Sequence, residues 1–168
     1  MNIILTGMRG SGKTTLGQRL AEKLGKHFID LDHEIEKHEK MPISEIIKTR
    51  DWPYFRKIEQ KICANISKMD NLVIATGGGI ILNKKNIQNL KKNGIIFFIQ
   101  CDIEILKKRL EKSNKRPSLK KGKNFLEELN EIWEERENFY LSSADFIIEN
   151  NDNINKNIKK IISKLNSF

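Results

Sequence analysis

Eight residues near the start of the chain constrain its fold more than any others. Gly7-Met8-Arg9-Gly10-Ser11-Gly12-Lys13-Thr14 follows the apolar run Ile3-Ile4-Leu5 by one residue, and an amphipathic stretch covers 15–24. This is G-x-x-x-x-G-K-[ST] between a strand pattern and a helix pattern, the context in which the motif cradles a nucleotide's phosphates. The glycines let backbone N–H groups curl around a phosphate, and the following helix adds its positive end. In such a loop Lys13 reaches the β- and γ-phosphates and the Thr14 hydroxyl takes a Mg²⁺ position. A strand feeding a helix through this loop also commits the chain to a parallel α/β sheet.

The rest of the sequence repeats that alternation. Strand signals fall at 2–6, 28–31, 72–76, 95–100 and 146–149, with helical patterns between them. Phe55, Ile58, Ile62 and Ile66 space as one helix face, as do Ile103, Leu106 and Leu110. Leu126, Leu129, Ile132 and Trp133 mark a helix running toward Tyr140, and Ile154, Ile158, Ile161, Ile162 and Leu165 a final one. These stripes predict a sheet covered by helices on both faces. With 168 residues, one domain spanning 1–168 is expected. The asparagine-rich stretch 150–157 reads as a turn into the last helix.

Met1 abuts the first strand and no apolar run approaches a membrane span, so a cytoplasmic protein without a membrane partner is expected. Cys63 and Cys101 lack metal or redox spacing and read as reduced thiols. The formal charge of +9 is spread along the chain rather than gathered in a stripe, which predicts a polyanionic small substrate and no nucleic acid.

The 31 basic residues are 24 lysines and only seven arginines, so each arginine is a candidate for a place where a planar, bidentate guanidinium matters. Arg19 and Arg50 read as surface residues; Arg9, Arg56, Arg109, Arg116 and Arg136 are candidates. Arg56 and Glu59, at i and i+3, can pair and fix the guanidinium for an anionic group, or be a surface ion pair. Arg136 stands among acids in Glu134-Glu135-Arg136-Glu137 and could equally be an exposed helix charge. Arg116 lies in the polar stretch 113–124, punctuated by Pro117 and Gly122, where an arginine-bearing lid is expected.

A P-loop enzyme also needs a carboxylate for the metal shell. The strand 72–76 runs into Gly77-Gly78-Gly79 with no acid, which leaves Asp30 and Asp32 in Phe28-Ile29-Asp30-Leu31-Asp32. Strand alternation would put both on one side at the carboxyl end, one for the metal and one for a substrate hydroxyl. Asp32 could also be the N-cap of the next helix. The triple glycine either admits a small polar ligand or makes a tight turn. His33-Glu34-Ile35-Glu36-Lys37-His38 is one residue too long for a zinc-protease helix, and Asn114-Lys115-Arg116-Pro117 lacks the aspartate of the guanine-reading N-K-x-D, so ATP is expected over GTP.

Taken in order, the P-loop with Lys13-Thr14, Asp30-x-Asp32, Phe55-Arg56-x-x-Glu59, Gly77–Gly79, Arg116-Pro117 and Arg136 before Tyr140 resemble shikimate kinase, over residues 2–149. Asp51-Trp52, where many members carry Gly-Glu, and the run Ile74 to Leu82 resemble the subgroup of the second enterobacterial shikimate kinase. The resemblance implies a nucleoside-monophosphate-kinase-like P-loop kinase: a three-layer α/β/α fold whose five-stranded parallel sheet runs 2-3-1-4-5. It further implies a substrate-binding helical segment at about 32–60 and a lid at about 112–124. The implied reaction is ATP- and Mg²⁺-dependent phosphorylation of the shikimate 3-hydroxyl, in chorismate and aromatic amino acid biosynthesis, by a monomer.

By the same resemblance Gly10, Ser11, Gly12, Lys13, Thr14 and Thr15 cradle the ATP phosphates. Thr14 and, through water, Asp30 hold Mg²⁺. Asp32 orients the attacking hydroxyl as base. Arg56 and Arg136 clamp the shikimate carboxylate beside Glu59, Gly77, Gly78 and Gly79. Arg116 reaches the ATP phosphates and Arg109 stacks on adenine. Other acceptors, gluconate or a nucleoside monophosphate, would use the same machinery, and a non-catalytic ATP-binding or nucleic-acid-binding module would share the fold.

Overall fold

The computed structural model describes residues 1–111, 125–151 and 153–167. Five strands, β1 (Asn2–Thr6), β2 (His27–Asp30), β3 (Leu72–Ala75), β4 (Gly94–Gln100) and β5 (Phe146–Glu149), form one parallel sheet in the order β2-β3-β1-β4-β5. The helices are α1 (Lys13–Leu24), α2 (Leu31–Glu39), α3 (Ile43–Arg50), α4 (Trp52–Ile66), α5 (Lys84–Lys91), α6 (Ile103–Glu111), α7 (Phe125–Ser143) and α8 (Ile154–Leu165). A 3₁₀ turn, Ile80–Leu82, follows β3. The expected architecture and strand order are those observed.

Period-2 alternation sorts the strands onto two cores. Ile4, Ile74, Ile96 and Phe98 face a core built with α2 to α7, whereas Ile3, Leu5, Val73, Phe97 and Ile148 face Leu16 and Leu20 of α1 and Ile158 and Ile161 of α8. Each fully buried side chain of this size contributes about 1.5–3 kcal/mol. The first core carries the stripe Phe55, Ile58, Ile62 and Ile66 of α4, and Tyr140 of α7 stacks on Phe98 with centroids 4.8 Å apart. Both cysteines are free and buried, and burial beside Glu59 pushes the Cys63 thiol up to about 12. Among the described residues no helix is long and apolar enough to cross a membrane.

Two local readings are corrected. β2 ends at Asp30, one residue before the expected end, because the Asp30 carboxylate accepts from the Asp32 and His33 N–H groups and starts α2 at Leu31. Asp32 therefore sits in the first turn of a helix, and strand alternation does not place it. The stretch 150–157 is also more than a turn. Asn153 caps α8 by accepting from the Lys156 N–H, and Asn150 and Asn157 are buried and bonded to each other.

The register explains where ligands can go. Leu5 pairs with Ala75, and Asp30 pairs with Ala75 from the other side. The carboxyl ends of β1, β2 and β3 thus finish level. The P-loop, Asp30 and the triple glycine leave the sheet side by side, at the end where open α/β sheets bind ligands.

Candidate active site

The P-loop turns sharply into α1. Gly12 is the N-cap, with φ 88°, a left-handed conformation that suits glycine. The Lys13 Nζ lies buried against the loop's inner edge, donating to the Gly7 carbonyl at 2.9 Å, the Met8 carbonyl at 2.8 Å and Ser11 Oγ at 3.3 Å. Thr14 and Thr15, on the first turn of α1, are exposed. Thr14 Oγ1 donates to Asp30 Oδ2 at 2.8 Å, while the other Asp30 oxygen caps α2. One carboxylate thus closes a helix and meets the P-loop hydroxyl at once. The N-cap alternative raised for Asp32 belongs to Asp30.

Hydroxyl and carboxylate oxygens in contact are a hard donor pair that fits Mg²⁺, which keeps several waters and completes its shell on substrate phosphates. Among the described residues no group of three or more His, Cys, Asp or Glu converges as a metal site. A Mg²⁺ shared with a nucleotide needs none.

Beside this lies a second constellation organised by the triple glycine. A Cβ on Gly77 would lie 2.5 Å from Asp32 Oδ1, and one on Gly79 would fall on the Arg56 guanidinium. The room those glycines leave is taken by the protein's own functional groups, a third use beside the ligand approach and the tight turn that the sequence suggested. Gly78 is half-buried, and its carbonyl accepts from Tyr140 Oη at 2.5 Å and from Arg136 Nη1 at 3.2 Å. Three consecutive glycines therefore receive Asp32, Arg136 and Arg56 from α2, α7 and α4.

The Arg56–Glu59 pair is not a surface pair. Arg56 Nη1 donates to both Glu59 oxygens at 2.8 Å, and the Glu59 side chain is only 2% exposed. The guanidinium also lies 5.3 Å from the Trp52 ring centroid and 5.1 Å from that of Phe55, so an aromatic corner and a buried carboxylate hold it. Burial pushes the Glu59 carboxyl up; Arg56 pulls it back, Asp32 raises it further and Arg136 lowers it. Arg136 is likewise no solvated helix charge: its Nε is buried and has no hydrogen-bond partner among the described residues. Two guanidiniums, one of them held by Glu59, thus stand with Asp32 at the triple glycine, an arrangement that can meet both an anionic group and a hydroxyl.

Arg109, on α6, reaches back to the P-loop. Its Nη1 donates to the Gly10 carbonyl at 3.4 Å and its Nη2 to the Asn150 carbonyl at 2.9 Å. Arg116 and the expected lid lie outside the described residues.

The sequence reading did not assign roles to Tyr140, Trp52 or Asn150. Tyr140 carried a usable signal, standing one helical turn after Arg136 at i+4 and so on the same face. Its hydroxyl is pushed up to about 12 by burial, so it stays a donor to Gly78 through the neutral range. Asn150 had no signal, because a buried amide looks like its exposed neighbours in an asparagine-rich stretch.

A P-loop on a parallel sheet of this order, set next to two guanidiniums and an aspartate gathered on a triple glycine, has the build of a P-loop phosphotransferase. Residues 9–166 match the family model of shikimate kinase. The chain is 45% identical over 121 residues to a shikimate kinase of Caldicellulosiruptor bescii, covering 72% of this chain and 70% of that protein. It is 40% identical over 149 residues to the shikimate kinase 2 of Photorhabdus laumondii, covering 87% and 84%. In structure it is similar to a shikimate kinase from Acinetobacter baumannii in complex with shikimate, with a TM-score of 0.92, 34% identity, and coverage of 99% of this chain and 93% of that one. The chain belongs to the shikimate kinase family. It is accordingly a kinase of the shikimate pathway that uses ATP.

Proposed function

We propose that the chain transfers the γ-phosphoryl group of ATP in line to the 3-hydroxyl of shikimate, with each half of the site serving one substrate. The observation that carries this reading is the gathering of Asp32, Arg56 and Arg136 on Gly77–Gly79, directly beside the P-loop.

Gly10, Ser11, Gly12, Lys13, Thr14 and Thr15 cradle the phosphates, and Lys13 exchanges its contacts with the loop carbonyls for phosphate oxygens. Arg109, whose guanidinium donates to the Gly10 and Asn150 carbonyls, stacks on adenine. The Thr14 hydroxyl and, through water, Asp30 would hold Mg²⁺, which would supply neutralisation of the phosphate charge. Arg56 and Arg136 clamp the shikimate carboxylate, and the Gly78 backbone adds a polar contact. Asp32 accepts a hydrogen bond from the 3-hydroxyl, orients its oxygen toward the γ-phosphorus and takes its proton. The new bond joins that oxygen to phosphorus as the bond to the β-phosphate oxygen breaks, giving shikimate 3-phosphate and ADP. The chain works as one kinase domain, with residues of about 32–60 binding the acceptor, and as a monomer.

An ADP-release assay with shikimate, gluconate and AMP run side by side tests the acceptor. Turnover should require shikimate, because a carboxylate and a hydroxyl must meet the two guanidiniums and Asp32 together. Turnover with gluconate or AMP but not shikimate overturns the reading.

A further inference from the structure

The back of the P-loop is held by an amide pair that reaches it from the last helix. Asn150 follows β5, and its backbone N–H donates to the Gln100 carbonyl at the end of β4, at 2.7 Å, which fixes the residue to the sheet. Its side-chain Nδ2 donates to the Ser11 carbonyl at 2.7 Å, and its Oδ1 accepts from Asn157 Nδ2 at 2.8 Å. Asn150, Asn157 and Ser11 are all buried, so no water competes for these bonds. A Cβ on Gly12 would lie 2.6 Å from Asn150 Nδ2, so the approach depends on the P-loop glycine as well.

The chemistry of the pair is directional. An amide has one accepting and one donating end. The Ser11 carbonyl can only accept, so the Asn150 nitrogen must face the loop and its oxygen Asn157, whose amide supplies the matching donor. At the loop, the Ser11 carbonyl and the Gly12 N–H belong to one planar trans peptide and point in opposite directions. Fixing that carbonyl toward Asn150 turns the Gly12 N–H toward the inner side of the loop, where a phosphate is received. Arg109 braces the same segment, joining the Asn150 carbonyl to that of Gly10.

We propose that Asn150 and Asn157 are positioning residues for ATP. Asn157 on α8 stabilises the orientation of the Asn150 amide by donating to its oxygen, and Asn150 holds the Ser11–Gly12 peptide in the geometry that binds phosphate. The inference rests on the P-loop reading above, and it gives α8 a part in binding ATP through Asn157.

Asn157→Asp tests it from outside the loop. A carboxylate cannot donate: it repels the Asn150 oxygen or draws the Asn150 nitrogen away from Ser11, and both disfavour the amide orientation that serves the loop carbonyl. Isothermal titration with Mg·ATP should show affinity weakened by about five- to tenfold, the worth of one buried hydrogen bond. The KM for ATP should rise in parallel, with shikimate affinity unchanged. Unchanged ATP affinity in a folded Asn157→Asp protein overturns the proposal, as does an equal loss for both substrates.

Should that variant fail to fold, NMR of the parent protein gives the second readout. The Asn150 side-chain NH₂ protons should be protected from solvent exchange and shift on adding ADP, unlike those of exposed Asn155. Asn150 protons that exchange freely and ignore ADP overturn it. The two readings fail separately. A parent that binds ATP without phosphorylating shikimate defeats the acceptor assignment alone, whereas unaltered ATP affinity in the variant defeats only the positioning role.

Discussion

Glu59 shows how a single residue can trade stability for function. It is buried against Arg56, and burial raises its carboxyl above the ordinary 4.5 of a glutamate. A raised folded-state value means a contribution to stability that is complete below that ordinary value and lost as pH climbs through the folded one. Glu59→Gln removes the titration. Urea midpoints of variant and parent should therefore move in the variant's favour as pH rises from 4.5 toward neutrality. The same substitution loosens the Arg56 guanidinium, and the KM for shikimate should rise by about tenfold, equivalent to one charge-assisted contact. A midpoint difference that does not change with pH, or an unchanged KM, contradicts this account of Glu59. At this scale the sequence was informative wherever chemistry is rare. In a chain that prefers lysine, Arg56, Arg109 and Arg136 stood out by type alone, and each meets a defined acceptor in the fold. Asn150 and Asn157 were hidden because nothing in an amide's identity tells whether it is buried.

Among the elements, the joint between α3 and α4 carries the chain's departure from Gly-Glu. Asp51 ends one helix and begins the next with φ 88° and ψ 171°, a conformation almost confined to glycine. Its side chain partly compensates by accepting from the Tyr54 N–H at 2.9 Å, an N-cap that glycine cannot make. The strain costs about 1–3 kcal/mol. Asp51→Gly relieves it, losing a few tenths for the cap and about 0.4–1 kcal/mol through a freer unfolded chain. Denaturant unfolding should place the glycine variant level with the parent or up to about 2 kcal/mol above it. Asp51→Ala keeps the strain and loses the cap, so it should fall about 1 kcal/mol below. An alanine variant more stable than the glycine one contradicts the strain. Strands and helices themselves were legible because their apolar periods differ. The end of β2 was not, since the Asp30 cap is a local competition between side chain and ladder that hydrophobic pattern does not register.

For the whole molecule, the sheet order is what makes one site out of distant segments. With β3 inserted between β1 and β2, the P-loop, the Asp30 cap and the triple glycine emerge from three neighbouring strands, although Gly7 and Gly79 are far apart in sequence. Helices α2, α4 and α7 then deliver Asp32, Arg56 and Arg136 to those glycines from the first core, while α1 and α8 pack on the second. The order was expected through the family resemblance; periodicity alone gives strands without neighbours. The residues that gather at the sheet's carboxyl end were also readable, because most of them are of types that carry chemistry.

The central claim is that Asp32 acts on the acceptor hydroxyl while the donor half stands apart on the P-loop. Asp32→Asn keeps size and helix position but accepts no proton. Steady-state turnover combined with ATP titration should show kcat lowered by about 10²–10⁴-fold, with ATP affinity at the parent's value. Full turnover in the variant, or turnover lost only because ATP no longer binds, would contradict the account.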